Sequence, residues 1–95
     1  MERDIKKQIE EYFRNKPVLR AYLFGSEARN ESEKDSDIDI IVDLDYSNPI
    51  GLEFVKMQLE LEELLNKKVD LLSSKGVSKY IQSFINQDRI LIYEK

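Results

Sequence analysis

Cysteine and histidine are both absent from this sequence of 95 residues. Their absence excludes disulfides, thiol nucleophiles, imidazole bases and the usual zinc sites, so acid–base chemistry would fall to carboxylates. Long apolar runs are missing as well, and none approaches the roughly 20 residues that a membrane-spanning helix needs. Because charged residues, Glu2, Arg3 and Asp4, follow Met1 directly, we expect a soluble, cytoplasmic protein that does not bind a membrane.

Excess positive charge is also lacking. Fifteen lysine and arginine residues stand against nineteen aspartate and glutamate residues, which gives a net charge of -4. This balance argues against general binding to nucleic acid, because such binding depends on neutralising phosphates. The length predicts one domain over residues 1–95 with one modest core, so a larger task would need a partner.

Hydrophobic periodicity predicts alternating helices and strands in the order αβαβαβαβ, an α/β fold without repeats. The predicted helices cover residues 5–13, 26–29, 50–66 and 77–85, with Pro49 in the first turn of the third helix. The predicted strands cover residues 18–24, 37–44, 68–72 and 90–93.

The first strand ends at a glycine followed by a serine, Gly25 and Ser26. Glycine lets the backbone approach a phosphate closely, and the serine hydroxyl and the N–H groups at a helix start can bind phosphate oxygens. Arg29 can add a charge-assisted contact, or it can pair with a nearby carboxylate as a structural bridge. On its own, a Gly-Ser pair is more commonly an ordinary turn with a helix cap.

Two aspartates, Asp37 and Asp39, are spaced to lie on the same face of the second strand. Their carboxylates can converge on a hard cation such as Mg²⁺, and Asp70 can complete the set if its strand pairs with the second one. The simpler alternatives are a solvated edge strand for the pair and a surface position for Asp70. A calcium-binding loop from Asp35 fails, because Ile40 stands where glycine is required.

Together, the Gly-Ser turn and the carboxylates suit in-line phosphoryl or nucleotidyl transfer. At these positions the sequence resembles the polymerase-beta-type nucleotidyltransferases, and among them the minimal nucleotidyltransferases. The matching segments are Gly25-Ser26-x-Ala28-Arg29, Ser36-Asp37-Ile38-Asp39-Ile40 and Asp70. The likeness extends over nearly the whole chain.

The resemblance implies a mixed β-sheet flanked by helices. It also implies that Asp37 and Asp39 hold metal, with two Mg²⁺ ions expected, and that Asp70 completes the triad as ligand and base. Gly25 and Ser26 would bind the phosphates of a nucleotide triphosphate, assisted by Arg29. The sequence departs from the family pattern at Asn30, where glycine commonly follows the arginine.

Many minimal nucleotidyltransferases are antitoxins paired with a HEPN-domain toxin, and some transfer AMP from ATP to a tyrosine of that toxin. We expect this activity, with a HEPN toxin as partner. The alternative is an antitoxin that neutralises its toxin by binding alone. Transfer to a small molecule such as an aminoglycoside, or to an RNA end, is less favoured because no acceptor domain fits within this length.

The third predicted helix carries two apolar stripes. Leu52, Val55 and Leu59 form the second stripe, which fits equally well an exposed patch for self-association or a partner and a surface buried beneath a neighbouring helix. The lysines at 67, 68, 75 and 79 could guide a triphosphate, but solvated lysines are the commoner explanation.

Overall fold

The structure is a computed structural model that describes residues 3–25, 37–47 and 49–95. Its helices are α1 (Arg3–Phe13), α2 (Glu53–Leu65) and α3 (Lys79–Asp88). Its strands are β1 (Val18–Phe24), β2 (Ile38–Leu44), β3 (Val69–Ser73) and β4 (Ile90–Glu94). The predicted short helix over residues 26–29 lies outside the described residues.

The four strands form one mixed sheet in the order β3-β2-β1-β4. β1 pairs antiparallel with both β2 and β4, whereas β2 and β3 run parallel. The predicted α/β fold with a mixed sheet and flanking helices is therefore confirmed. β2 is an inner strand, so the alternative that Asp37 and Asp39 protect a solvated sheet edge is wrong.

One face of the sheet forms the hydrophobic core with α1 and α2. Alternation along β2 sends one set of side chains into this core and the other set to the opposite face, because successive strand residues point to opposite sides. The fully buried members from the helices and from β2 are Ile9, Phe13, Met57, Leu61, Ile38, Ile40 and Val42. The aspartates of β2 therefore belong to the face away from the core.

A hydrogen bond links the two helices that cover the core. The Tyr12 hydroxyl on α1 donates to Oε1 of Glu60 on α2 over 2.5 Å. Burial and this hydrogen bond to a carboxylate both raise the pKa of Tyr12, while the bond from Tyr12 lowers the pKa of Glu60. Nζ of Lys16 lies 3.6 Å from the same oxygen and also favours the ionised carboxylate.

Helix α2 is shorter than its apolar pattern predicts. It begins at Glu53, after Leu52 in the N-cap position, so the prediction that Pro49 lies in its first turn is wrong. The N-cap leucine cannot accept a hydrogen bond through its side chain, and the preceding Gly51 has a positive φ of 49°. At the other end Asn66 is left-handed (φ 52°), as expected of an asparagine that ends a helix.

The second apolar stripe of α2 is exposed. Leu52, Val55 and Leu59 have exposed fractions of 84%, 54% and 59%, whereas Met57 and Leu61 on the first stripe are fully buried. The structure therefore supports an exposed patch and not a stripe that is buried beneath a neighbouring helix. None of the helices in the described parts of the chain is long and apolar enough to cross a membrane.

Candidate functional site

Two predicted site residues lie side by side on neighbouring strands. β2 and β3 are parallel and in register, and Asp39 is the direct partner of Asp70. Paired residues of adjacent strands point to the same face, and their Cα atoms are about 5 Å apart. The sequence predicted this arrangement on condition that the two strands pair, and the register meets that condition.

Gly25 lies against the carboxylate of Asp39. It follows β1 with a φ of 71°, a conformation that side chains disfavour, and an ideal Cβ there would lie 2.5 Å from Oδ2 of Asp39. The pairing of Phe24 with Asp39 brings the end of β1 to this point. The glycine is thus required both by its backbone conformation and by the room that the aspartate occupies.

Asp37 immediately precedes β2 and is exposed. The N–H of the next residue, Ile38, donates to the carbonyl of Lys68 over 2.9 Å, which fixes the start of β2 against the approach to β3. Extending the register by one step places Asp37 opposite Lys68, on the same face as Asp39. Asp37 therefore lies on the same face as Asp39 and Asp70, just before β2 begins.

The arrangement offers ligands suited to a hard cation. Carboxylate oxygens are the donors that Mg²⁺ prefers, and Gly25 keeps the space beside Asp39 free of a side chain. Across residues 3–25, 37–47 and 49–95, however, no three acidic side chains are close enough together to hold a metal ion. The backbone positions of Asp37, Asp39 and Asp70 fit such a site if their side chains turn towards one point, and the three-ligand set remains a prediction.

Ser26 and Arg29, the other predicted nucleotide-binding residues, lie outside the described residues. Their roles therefore remain predictions from the sequence. Of the predicted phosphate-binding group, the structure describes only Gly25, at the end of β1.

A basic residue that the sequence analysis did not single out lies on the same face. The Arg89 guanidinium stacks over the ring of Tyr22, with Cζ 4.4 Å from the ring centroid. Tyr22 pairs with Ile41 of β2, two residues from Asp39 and on the same face. Only the sheet order could have revealed Arg89, because it is remote in sequence from the motif and precedes the strand that pairs with β1.

Comparison with protein families identifies the family of this chain. The family described as Polymerase beta, Nucleotidyltransferase matches residues 7–95, nearly the whole chain. A protein of Methanocaldococcus jannaschii, provisionally named a protein adenylyltransferase, is 39% identical over 88 residues, which cover 93% of this chain and 88% of that protein.

Solved structures share the fold. A chain of a toxin–antitoxin crystal structure with AMP-PNP superposes with a TM-score of 0.81 at 21% identity, covering 95% of this chain and 73% of that one. A structure from Shewanella oneidensis contains a tri-AMPylated HEPN toxin in complex with an MNT antitoxin. The similarity there has a TM-score of 0.77 at 20% identity and covers 100% of this chain and 74% of the other.

Proposed function

Because this chain belongs to the polymerase beta nucleotidyltransferase family, we propose that it transfers AMP from ATP to a tyrosine hydroxyl of a partner HEPN toxin and so acts as an antitoxin. The observation that carries the proposal is the register of Asp39 with Asp70 beside a glycine that must lack a side chain. The M. jannaschii relative's name and the AMPylated toxin in the Shewanella complex support AMP as the group and a protein as the acceptor.

Each residue has a distinct part in this proposal. Asp37, Asp39 and Asp70 would hold two Mg²⁺ ions, which when bound supply charge stabilisation to the α-phosphate and the leaving pyrophosphate. Asp70 would also accept the proton of the attacking hydroxyl, since it adjoins Asp39 and is exposed to an incoming acceptor. Gly25 would let the phosphates approach the backbone, with Ser26 and Arg29 binding their oxygens.

The reaction would take place in the cytoplasm, where both ATP and a toxin made by the same cell are present. Attack of the tyrosine oxygen on the α-phosphorus forms a phosphodiester and breaks the bond to the β-phosphate. The hydroxyl proton passes to a carboxylate, and pyrophosphate leaves. The acceptor must come from another molecule, in keeping with the expectation that this short chain works with a partner.

A second candidate function is neutralisation of the toxin by binding alone. It is favoured by the departure from the family pattern at Asn30. Under this alternative the fold would persist while the site turned over little or no ATP.

Transfer of label from ATP into proteins of the host lysate tests the two functions. Magnesium is supplied, and wild type is compared with the double variant Asp37→Asn/Asp39→Asn. We expect a labelled protein when the label is on the α-phosphate and none when it is on the γ-phosphate, which separates adenylyl from phosphoryl transfer. The double variant should give no labelled protein.

The matched control is Asp43→Asn, which removes a carboxylate from the same face of β2 at a position bonded to Arg20. It should label as wild type does. If wild type leaves every protein unlabelled and both forms still neutralise the toxin, neutralisation by binding is the function. If neutralisation is lost with Asp37→Asn/Asp39→Asn although the toxin still co-purifies, modification is the function.

A further inference from the structure

Four residues on the face opposite the core form a row across one end of the sheet. The register pairs Asp39 with Phe24 on one side and with Asp70 on the other. Leu23 pairs with Ile90, so one further step of the same antiparallel ladder places Arg89 opposite Phe24. The row across β4, β1, β2 and β3 is therefore Arg89, Phe24, Asp39 and Asp70.

The row has opposite charges at its two ends. Two strand spacings of about 4.8 Å separate the backbone of Arg89 from that of Asp39, roughly 10 Å in all. Gly25 follows Phe24, between these two positions. A nucleotide lying along the row at Gly25 would thus have the carboxylates on one side and a guanidinium on the other.

The side chain of Arg89 points to this face and has a support there. Its guanidinium lies over the Tyr22 ring at 4.4 Å, and Tyr22 shares the face of Phe24 because the two are two positions apart on one strand. Stacking on an aromatic ring orients the planar guanidinium but leaves its N–H donors at the edges, where they can bind phosphate oxygens.

We propose that Arg89 binds the β- and γ-phosphates of the nucleotide and so holds the leaving pyrophosphate on the side of Gly25 remote from Asp39 and Asp70. This inference rests on the proposed function, since it assumes that the nucleotide occupies the row. Its physical basis is charge. The pyrophosphate must be kept near carboxylates that repel it, and a guanidinium offers paired N–H donors that fit phosphate geometry.

A purely structural role for Arg89 is the competing explanation. Arg89 is the C-cap of α3, where a positive charge interacts favourably with the helix dipole, and stacking on Tyr22 could serve only to secure that helix end. Such a role would change stability and not the preference of the protein for a triphosphate over a monophosphate.

The test is calorimetric titration with α,β-methylene-ATP, which cannot release pyrophosphate, and with AMP, both in the presence of magnesium. Arg89→Met should weaken binding of the ATP analogue about tenfold or more, as loss of a charged hydrogen-bond donor to phosphate predicts, and leave AMP binding unchanged. Arg89→Lys should recover part of the loss, because it keeps the charge but not the planar fork.

The chain provides a matched control in Lys75. Its Nζ lies 4.6 Å from the ring centroid of Tyr46, so it too is a cation stacked on a tyrosine, beyond the opposite ends of β2 and β3. Lys75→Met should leave both affinities unchanged. Melting temperatures of all variants show whether each is folded.

Equal weakening of the analogue and AMP, or no weakening of either, would overturn the assignment of Arg89. Wild type that binds neither nucleotide would overturn this inference and the proposed transfer together. Wild type that binds the analogue but labels no protein in the lysate would overturn only the transfer, and the comparison of Arg89→Met with wild type would still decide the role of Arg89.

Discussion

Gly25 and Asp39 stand so close that a methyl group at position 25 would lie 2.5 Å from Oδ2 of the aspartate. Carbon and oxygen atoms that are not bonded cannot approach to this distance, so one of the two groups must move. The carboxylate moves more easily, because it belongs to a rotatable side chain while the backbone of Gly25 is fixed at the end of β1. The glycine therefore determines where the Asp39 carboxylate can be.

Replacement of Gly25 by alanine should slow transfer strongly while the protein stays folded. The new Cβ would displace the Asp39 carboxylate, and we expect the rate to fall by about 100-fold, as when a group that stabilises the transition state is lost. The positive φ should cost only about 1–2 kcal/mol of stability. Initial rates of AMP transfer and urea unfolding of the same preparations measure the two effects.

Gly51→Ala tests whether backbone strain or contact with the Asp39 carboxylate explains the effect of Gly25→Ala. Gly51 also has a positive φ, but a Cβ there would meet nothing within 4 Å. It should lose a similar amount of stability and keep the wild-type rate. If Gly51→Ala loses activity to the same extent, backbone strain and not the contact with Asp39 explains the effect.

The register of Asp39 with Asp70 leads to a second prediction. Asp70→Asn keeps the size of the side chain but removes the negative charge and the capacity to accept a proton, so the transfer rate should fall about 100-fold or more. Asp70 is exposed, and its loss should leave the unfolding free energy within about 0.5 kcal/mol of wild type. Wild-type activity in Asp70→Asn would remove this residue from the site.

The sequence could predict the element order because alternation along β2 and helical spacing in α1, α2 and α3 are local signals. It could also place Asp37 and Asp39 on one face, since strand periodicity alone decides that. The pairing of Asp39 with Asp70 depended on strand order, which is a tertiary property. Periodicity left this pairing as a condition, and the family resemblance supplied the expectation that Asp70 completes the triad.

Arg89 and the start of α2 were beyond prediction from local pattern. Arg89 reaches the site face only because β4 pairs with β1, a contact between segments more than 60 residues apart. The apolar pattern from residue 50 predicted helix too early, because Ile50 packs against the core from outside the helix. A burial pattern does not distinguish a helical residue from a packed residue in the preceding turn.

The two stripes of α2 should differ sharply in their effect on stability. Leu61 is fully buried, and Leu61→Ala should lower the free energy of unfolding by about 2–5 kcal/mol through lost burial and an internal cavity. Leu59→Ala removes the same atoms from a side chain that is 59% exposed. It should change the free energy of unfolding by less than about 0.5 kcal/mol. Urea unfolding at one protein concentration measures both, and similar losses would mean that Leu59 is covered in solution.

The Tyr12–Glu60 hydrogen bond should make stability depend on pH at both extremes. The bond needs a neutral tyrosine and an ionised glutamate. Since the pKa of Glu60 is lowered from 4.5, its contribution is complete above that pH and is lost as the pH falls through the folded-state value. Since the pKa of Tyr12 is raised from 10.0, that contribution is complete below pH 10 and is lost as the pH rises further.

Tyr12→Phe should therefore be less stable than wild type at about pH 7, and the difference should be smaller at an acidic pH low enough to protonate Glu60 in folded wild type. Urea unfolding at the two pH values measures it. Glu60→Gln serves as the control, because it keeps an acceptor for the hydroxyl but cannot titrate, and it should flatten the acid dependence that this pair contributes. A stability difference between Tyr12→Phe and wild type that is the same at both pH values would show that the hydroxyl's partner is not the ionised carboxylate.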